Sequence, residues 1–193
     1  MRFLLDGMLG KLARWLRMIG YETIYMNDSD DRDLLLIAKR DSLALLTSDA
    51  ELYRTANARG IESFLVEGRT EPERLASLAE RYGLSLSIDT TISRCPMCGS
   101  LLRETSKSDV ERAVPPATFK VYQTFWVCTN PECAKVYWQG SHWKRIEQTL
   151  ASAEKILDKK RHTKPVASTN RTSEPRTGED ASAIGAASRE SLS

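Results

Sequence analysis

The chain has 193 residues, 41% of them apolar and 28% charged, enough for one full domain and a small appendage but not for two large cores. With 2 His and 4 Cys, a His-rich catalytic zinc site is out of reach, and any transition-metal question reduces to the cysteines. No run approaches the roughly 18 to 20 apolar residues of a membrane span, and Asp6, Lys11 and Arg14 interrupt the place where a signal peptide is apolar. The sequence therefore predicts a cytoplasmic protein without a membrane partner.

In residues 1–88, apolar strand-like runs alternate with helical patterns. Arg2 to Leu5 is followed by Met8 to Ile19, Thr23 to Met26 by Leu34 to Lys39, Leu43 to Thr47 by Ala50 to Ala58, and Ile61 to Val66 by Pro72 to Tyr82. This order predicts an α/β domain, a parallel sheet flanked by helices with right-handed crossovers. In the first helix Leu9, Leu12, Leu16 and Ile19 form one apolar stripe, while Lys11, Arg14 and Arg17 point elsewhere. From 93 to 146 the pattern changes to short β-like runs with turn chemistry, including a run from Phe119 to Val127. A final helix over 147–162, with its first turn at Lys144, places Ile146, Leu150, Ala153 and Leu157 on one face. Residues 163–193 are rich in Ser, Thr, Ala and Gly, without aromatic residues or periodicity, and are predicted to be disordered.

Charge follows the same division. Residues 1–93 hold 12 Lys or Arg against 15 Asp or Glu, residues 94–162 hold 12 against 7, and residues 163–193 hold 4 against 4. An acidic body precedes a basic module.

The cysteines of that module are Cys95 and Cys98, then Cys128 and Cys133, two close pairs each interrupted by a Pro, the first followed by Gly99. In a reducing compartment such pairs point to metal rather than disulfides. Tight turns aim two thiolates at a shared tetrahedral position, and four sulfurs leave no open coordination site, so the expected Zn²⁺ is structural. Around it Arg94, Arg103, Lys107, Lys120, Lys135, Lys144 and Arg145 are interleaved with Tyr122, Trp126, Tyr137, Trp138 and Trp143. That composition suits phosphate tracking and base stacking, and equally suits a small ribbon that uses aromatics as core and lysines for solubility. His142 in Gly-Ser-His-Trp is a candidate base or ligand, although a lone His beside aromatics is more often packed or hydrogen-bonded.

The acidic candidates are Asp6 after the first strand, Asp30, Asp31 and Asp33 at the start of the second helix, and Asp49 after the third strand. C-terminal strand ends of a parallel sheet share one edge, so carboxylates from three segments can meet there. Such oxygen ligands suit Mg²⁺ or Mn²⁺ and water attack on a phosphodiester. Taken singly, each aspartate is also a favoured helix N-cap. Asp6 lacks the second Asp two residues later that haloacid-dehalogenase-type phosphotransfer needs, and neither a G-x-x-x-x-G-K-[ST] nor a G-x-G-x-x-G phosphate loop occurs.

With these residues in view, the sequence closely resembles the Mut7-C family, a PIN-like RNase domain with a C-terminal zinc ribbon. The stretches that carry the resemblance are Asp6-Gly-Met-Leu-Gly-Lys-Leu-Ala-Arg-Trp-Leu-Arg17 with Gly20-Tyr21, Asp31 to Ala38, Leu45-Leu-Thr-Ser-Asp49, Ser93 to Gly99, Val114-Pro-Pro116 and Val136-Tyr-Trp-Gln-Gly-Ser-His-Trp143. The resemblance implies a Mg²⁺ or Mn²⁺ dependent ribonuclease, with Asp6, Asp49 and one of Asp31 and Asp33 as catalytic metal ligands. Lys11, Arg14, Arg17, Trp138, His142 and Trp143 are then the candidates for contact with single-stranded RNA. Two positions depart from the family pattern: Ser48 stands where the family usually has Arg, and the second cysteine pair encloses four residues where the family usually has two. The competing expectation is a catalytically silent RNA-binding or adaptor protein whose ribbon makes the contacts.

Overall fold

The chain is described by a computed structural model over residues 1–163; the segment 164–193, which contains nearly all of the tail predicted to be disordered, lies outside the described residues. Four strands, β1 (Arg2–Leu5), β2 (Glu22–Tyr25), β3 (Ala44–Thr47) and β4 (Ser63–Leu65), form a parallel sheet in the order β2-β1-β3-β4. The helices α1 (Gly10–Met18), α2 (Asp31–Arg40) and α3 (Ala50–Ala58) make the crossovers, and α4 (Glu71–Tyr82) returns from β4. The chain leaves β1 in one direction and β3 in the other, so the C-terminal ends of β1 and β3 flank the topological switch point.

Both faces of the sheet are covered, which is why the strands read as continuous apolar runs. Phe3 and Leu5 of β1 and Ala44 and Leu46 of β3 pack with Leu12 and Leu16 of α1 and Leu75 and Leu78 of α4. Leu4 and Leu45 point the other way, onto Leu34 and Leu35 of α2 and Leu52 and Ala56 of α3. The alternation is the period of two that a strand imposes on its side chains. α4 opens with a capping box, Thr70 with Glu73, and closes on Gly83 in the left-handed conformation (φ 66°).

The second sheet is small and antiparallel, β5 (Leu102–Thr105), β6 (Phe125–Cys128) and β7 (Val136–Tyr137) in the order β5-β6-β7. The expected β-like run from Phe119 to Val127 divides instead: Phe119 to Val121 end a short helix, α5 (Pro116–Val121), and only Phe125 onward is strand. The Pro115-Pro116 pair is the reason, since proline's fixed φ suits the first turn of a helix. Buried apolar side chains in this cluster are few: Val110, Val114 and Phe125, with Phe119, Tyr122 and Trp138 packed around them.

The last helix, α6 (Trp143–Thr163), belongs to the α/β body rather than standing apart. Leu150, Ala153 and Leu157 enter the same core as β1 and α4, and Lys160 Nζ lies 3.1 Å from Glu80 Oε2. Its apolar stripe needs a partner, and α4 supplies one. Residues 1–163 thus form one compact unit, within which residues 88 to 93 mark a change of architecture. Among the described residues, no helix is long and apolar enough to cross a membrane.

Candidate functional site

Asp6 follows β1 at the switch point and is buried (6% exposed). Its Oδ1 accepts a hydrogen bond from Met8 N at 2.9 Å, capping a single 3₁₀ turn that leads into α1. Its Oδ2 accepts from the hydroxyl of Thr47, the last residue of β3 and wholly buried. The same Thr47 oxygen accepts from Asp49 N at 2.9 Å, so one hydroxyl ties the two aspartates across adjacent strands. Asp49 caps α3, its Oδ1 accepting from Glu51 N at 2.6 Å and Leu52 N at 3.2 Å, while the residue remains exposed. The sequence alone gives Thr47 no role, because that role appears only when β1 and β3 are adjacent.

The glycines beside Asp6 follow from close packing. A Cβ on Gly7 would lie 2.6 Å from Asn27 O, so the β2–α2 loop reaches the Asp6 edge only because position 7 has no side chain. Tyr25 lies across the same turn, its hydroxyl 3.0 Å from Gly7 O and 2.8 Å from Asn27 Oδ1. At α2 the cap is Asp30, which accepts from Asp33 N at 2.8 Å, leaving the Asp31 and Asp33 side chains exposed in the first turn. Asp6, Asp49 and the α2 acids therefore occupy one edge of the sheet. Among the described residues, however, the carboxylates do not converge in a group of three, as four cysteines do.

Those four, Cys95, Cys98, Cys128 and Cys133, have their sulfurs all within 4.8 Å of one another. The Cys95–Cys133 and Cys98–Cys128 sulfurs are 3.7 and 3.4 Å apart, against edges of about 3.8 Å for a tetrahedron of sulfurs 2.3 Å from a central zinc. The donor set fits one zinc ion. The wider second knuckle is accommodated by an Asx turn: Asn130 Oδ1 accepts from Glu132 N at 3.0 Å, and Cys133 N and Ala134 N both bond to Asn130 O. Burial opposes ionisation of Cys98, but hydrogen bonds from Ser100 and the neighbouring thiols bring its pKa down to about 6; burial pushes Cys128 up to about 12. The Tyr137 hydroxyl lies 3.0 Å from Cys95 Sγ, placed to donate to its thiolate.

The basic candidates on α1 separate. Lys11 and Arg14 are exposed, but Arg17, expected among the RNA contacts, is buried (5% exposed) and internally committed. Its Nε donates to Thr23 O at 3.1 Å, and its Nη1 donates to Pro96 O at 3.1 Å and Met97 O at 2.9 Å. The guanidinium fork thus clamps the first cysteine knuckle to the α/β body. Burial lowers its pKa, partly offset by Cys98 and Cys95. Gly99 sits against the clamp in the left-handed conformation (φ 82°), which strains any other residue, and a Cβ there would press to 3.1 Å from Arg17 Nε. Arg17→Leu strands these carbonyl acceptors and is expected to cost about 3 kcal/mol in urea unfolding. Arg17→Lys should recover little of it, because a single ammonium lacks the fork.

Trp138, His142 and Trp143 gather with the ribbon at the C-terminal end of α1, where Ser93 Oγ donates to Met18 O at 2.7 Å and Arg94 N to Arg17 O at 2.9 Å. Asp6 precedes the N-terminal end of α1, so a helix roughly 13 Å long separates the aromatic group from the acidic edge.

The model of the Mut7-C RNAse domain matches residues 1–150, from β1 through the ribbon into the first turns of α6. The chain belongs to the Mut7-C RNAse domain family. Comparison with curated proteins and with solved structures returns no match. Membership accounts for the two halves of this Mut7-C chain together, since the matched span holds both the acidic edge and the cysteine cluster. A ribonuclease domain has RNA as its implied substrate, and the four cysteines are compatible with the zinc ribbon of such a chain.

Proposed function

We propose that the protein is a metal-dependent ribonuclease of PIN-like type that hydrolyses phosphodiester bonds of single-stranded RNA at the edge carrying Asp6 and Asp49. The observation that carries the reading is the Asp6–Thr47–Asp49 linkage at the switch point of a Mut7-C RNAse domain. A helix cap needs only one carboxylate oxygen. Asp6 places its second oxygen on a buried hydroxyl, which fixes the orientation of the carboxylate.

Carboxylate oxygens are the donors that Mg²⁺ and Mn²⁺ prefer. Asp6 and Asp49, with Asp31 or Asp33 from α2 drawn toward them, are the residues that would hold such an ion. When bound, it lowers the pKa of water and offsets charge developing on the phosphate. Thr47 orients Asp6 by donating to its Oδ2 and holds the Asp49 backbone. Lys11 and Arg14, exposed on α1, bind phosphates of the substrate strand. The zinc holds the ribbon in shape, and four reduced thiolates suit a reducing compartment such as the cytoplasm.

The test is cleavage of end-labelled single-stranded RNA by the zinc-loaded chain with Mn²⁺, with Mg²⁺ and with no added divalent ion, which spares the zinc that a chelator removes. Products should appear only with added ion and be lost in Asp49→Asn. RNA that is retarded in a gel but never cut, equally by both proteins, would support the silent binding protein instead.

A further inference from the structure

The geometry points to a pocket for one unpaired base of single-stranded RNA at the junction of the ribbon, α1 and α6, walled by Trp126, Trp138 and Trp143. It deepens the ribonuclease reading and rests on that reading for the class of ligand. Trp126 lies on β6, Trp138 follows β7, Trp143 begins α6, and Met18 at the end of α1 also lines the pocket. The pocket measures ≈ 110 Å³. An enclosed apolar cavity of about 150 Å³ takes up benzene; this smaller pocket is open to solvent on one side, so it can hold part of one flat ring, the rest lying outside, and has no room for an extended apolar segment.

The walls are fixed by contacts within the protein. Trp143 Nε1 donates to Glu147 Oε1 at 2.7 Å, one turn along α6. Trp138 stands 6.5 Å, centroid to centroid, from both Tyr122 and Phe125. A Cβ on Gly140 would come within 2.7 Å of Trp138 Nε1, so the chain folds back over this indole only because position 140 is glycine. Side chains ordered by folding lose little further freedom on binding, which favours a ligand that needs flat faces already in place.

Charge narrows the ligand. Indole walls also suit quaternary ammonium groups, but the wall includes Arg94, whose charge, partly offset by Glu22 at 3.6 Å, disfavours a cation. Lys144 and Arg145, both exposed, follow Trp143 directly, and residues 94–162 carry 12 basic against 7 acidic side chains. An aromatic ring attached to a phosphate chain satisfies both the walls and the charge. A neighbouring hollow of ≈ 400 Å³ shares Tyr137, Trp138 and Trp143 and adds Ser141 and His142, room and polarity for the adjoining ribose and phosphate. Base stacking on aromatics is tolerant of sequence, so the pocket anchors a strand whose other nucleotides reach the acidic edge along α1.

The experiment compares a short RNA lacking every base with the same RNA carrying a single base, bound to the full zinc-loaded chain without added divalent ion and read by fluorescence anisotropy. One base should strengthen binding about tenfold. That gain should vanish in Trp143→Leu, return in Trp143→Tyr and fall in Gly140→Ala, with zinc content and circular dichroism confirming that each variant is folded. Equal affinity for the two RNAs overturns the inference, as does a gain that survives in both Trp143→Leu and Gly140→Ala. Metal-dependent cleavage without a base-dependent gain defeats this pocket alone, whereas a base-dependent gain in a protein that cuts nothing defeats the ribonuclease reading alone.

Discussion

Asp6→Asn should reduce RNA cleavage by about 10³-fold or more, at one decade per 1.36 kcal/mol of lost transition-state stabilisation, while leaving the fold intact. Asn caps helices as well as Asp does, and its Oδ1 can keep the 2.9 Å bond from Met8 N. What it cannot keep is the anion. The amide NH₂ replaces the oxygen that accepts from Thr47, so the Thr47 hydroxyl must find another acceptor. That rearrangement should cost about 1 kcal/mol, a small shift in the thermal midpoint. The pairing of the two readouts is what discriminates. A site that only caps the turn would tolerate Asn in both, and Asp6→Ala would then lower stability without touching cleavage. Intact melting with cleavage gone assigns the carboxylate to the chemistry.

The α/β body was legible because its signals are local. Runs such as Arg2 to Leu5 and Ala44 to Thr47 follow the strand pattern, and the Leu12–Leu16 stripe follows the helical one. Observed strand ends lie within two residues of those expected, and the ladder even continues past them, as in Met26 N to Leu5 O. The cysteine spacing was equally readable, since each knuckle is built by its own turn. Long-range partners were not. Thr47 looks like any strand terminus until residue 6 is placed beside it.

Arg17 is the clearest case of a misleading local pattern. Lys11, Arg14 and Arg17 recur every third residue and read as one solvated face. On a helix of 3.6 residues per turn, each such step falls about 60° short of a full turn, so Arg17 is rotated about 120° from Lys11. That brings it beside buried Ala13, at the edge of the apolar arc, where the carbonyls of the first knuckle await a donor. The α6 helix shows the converse: its stripe was visible, but not that α4 would cover it.

Removing zinc, by chelation or by Cys95→Ser, should unfold the ribbon while the α/β body stays folded. Val110, Val114 and Phe125 are too small a core to order the ribbon unaided, whereas a structural zinc site contributes on the order of 10 kcal/mol. The body has its own core on both faces of the sheet and keeps α6 through Leu150, Ala153 and Leu157. Three of the 4 tryptophans, Trp126, Trp138 and Trp143, lie in or beside the ribbon, so near-ultraviolet dichroism should collapse while far-ultraviolet helix signal largely persists. Acid should act in the same direction. In the metal-free cluster Cys98 ionises near 6 but Cys128 holds its proton up to about 12, so zinc must displace protons to bind at neutral pH. Each fall in pH makes that displacement harder, and zinc release should set in on the acid side of neutrality. The Tyr137 hydroxyl, 3.0 Å from Cys95 Sγ, stabilises the thiolate that this equilibrium consumes; Tyr137→Phe should therefore move zinc release to higher pH. A body that melted together with the ribbon on chelation would instead mean that the Arg17 clamp couples the two into a single cooperative unit.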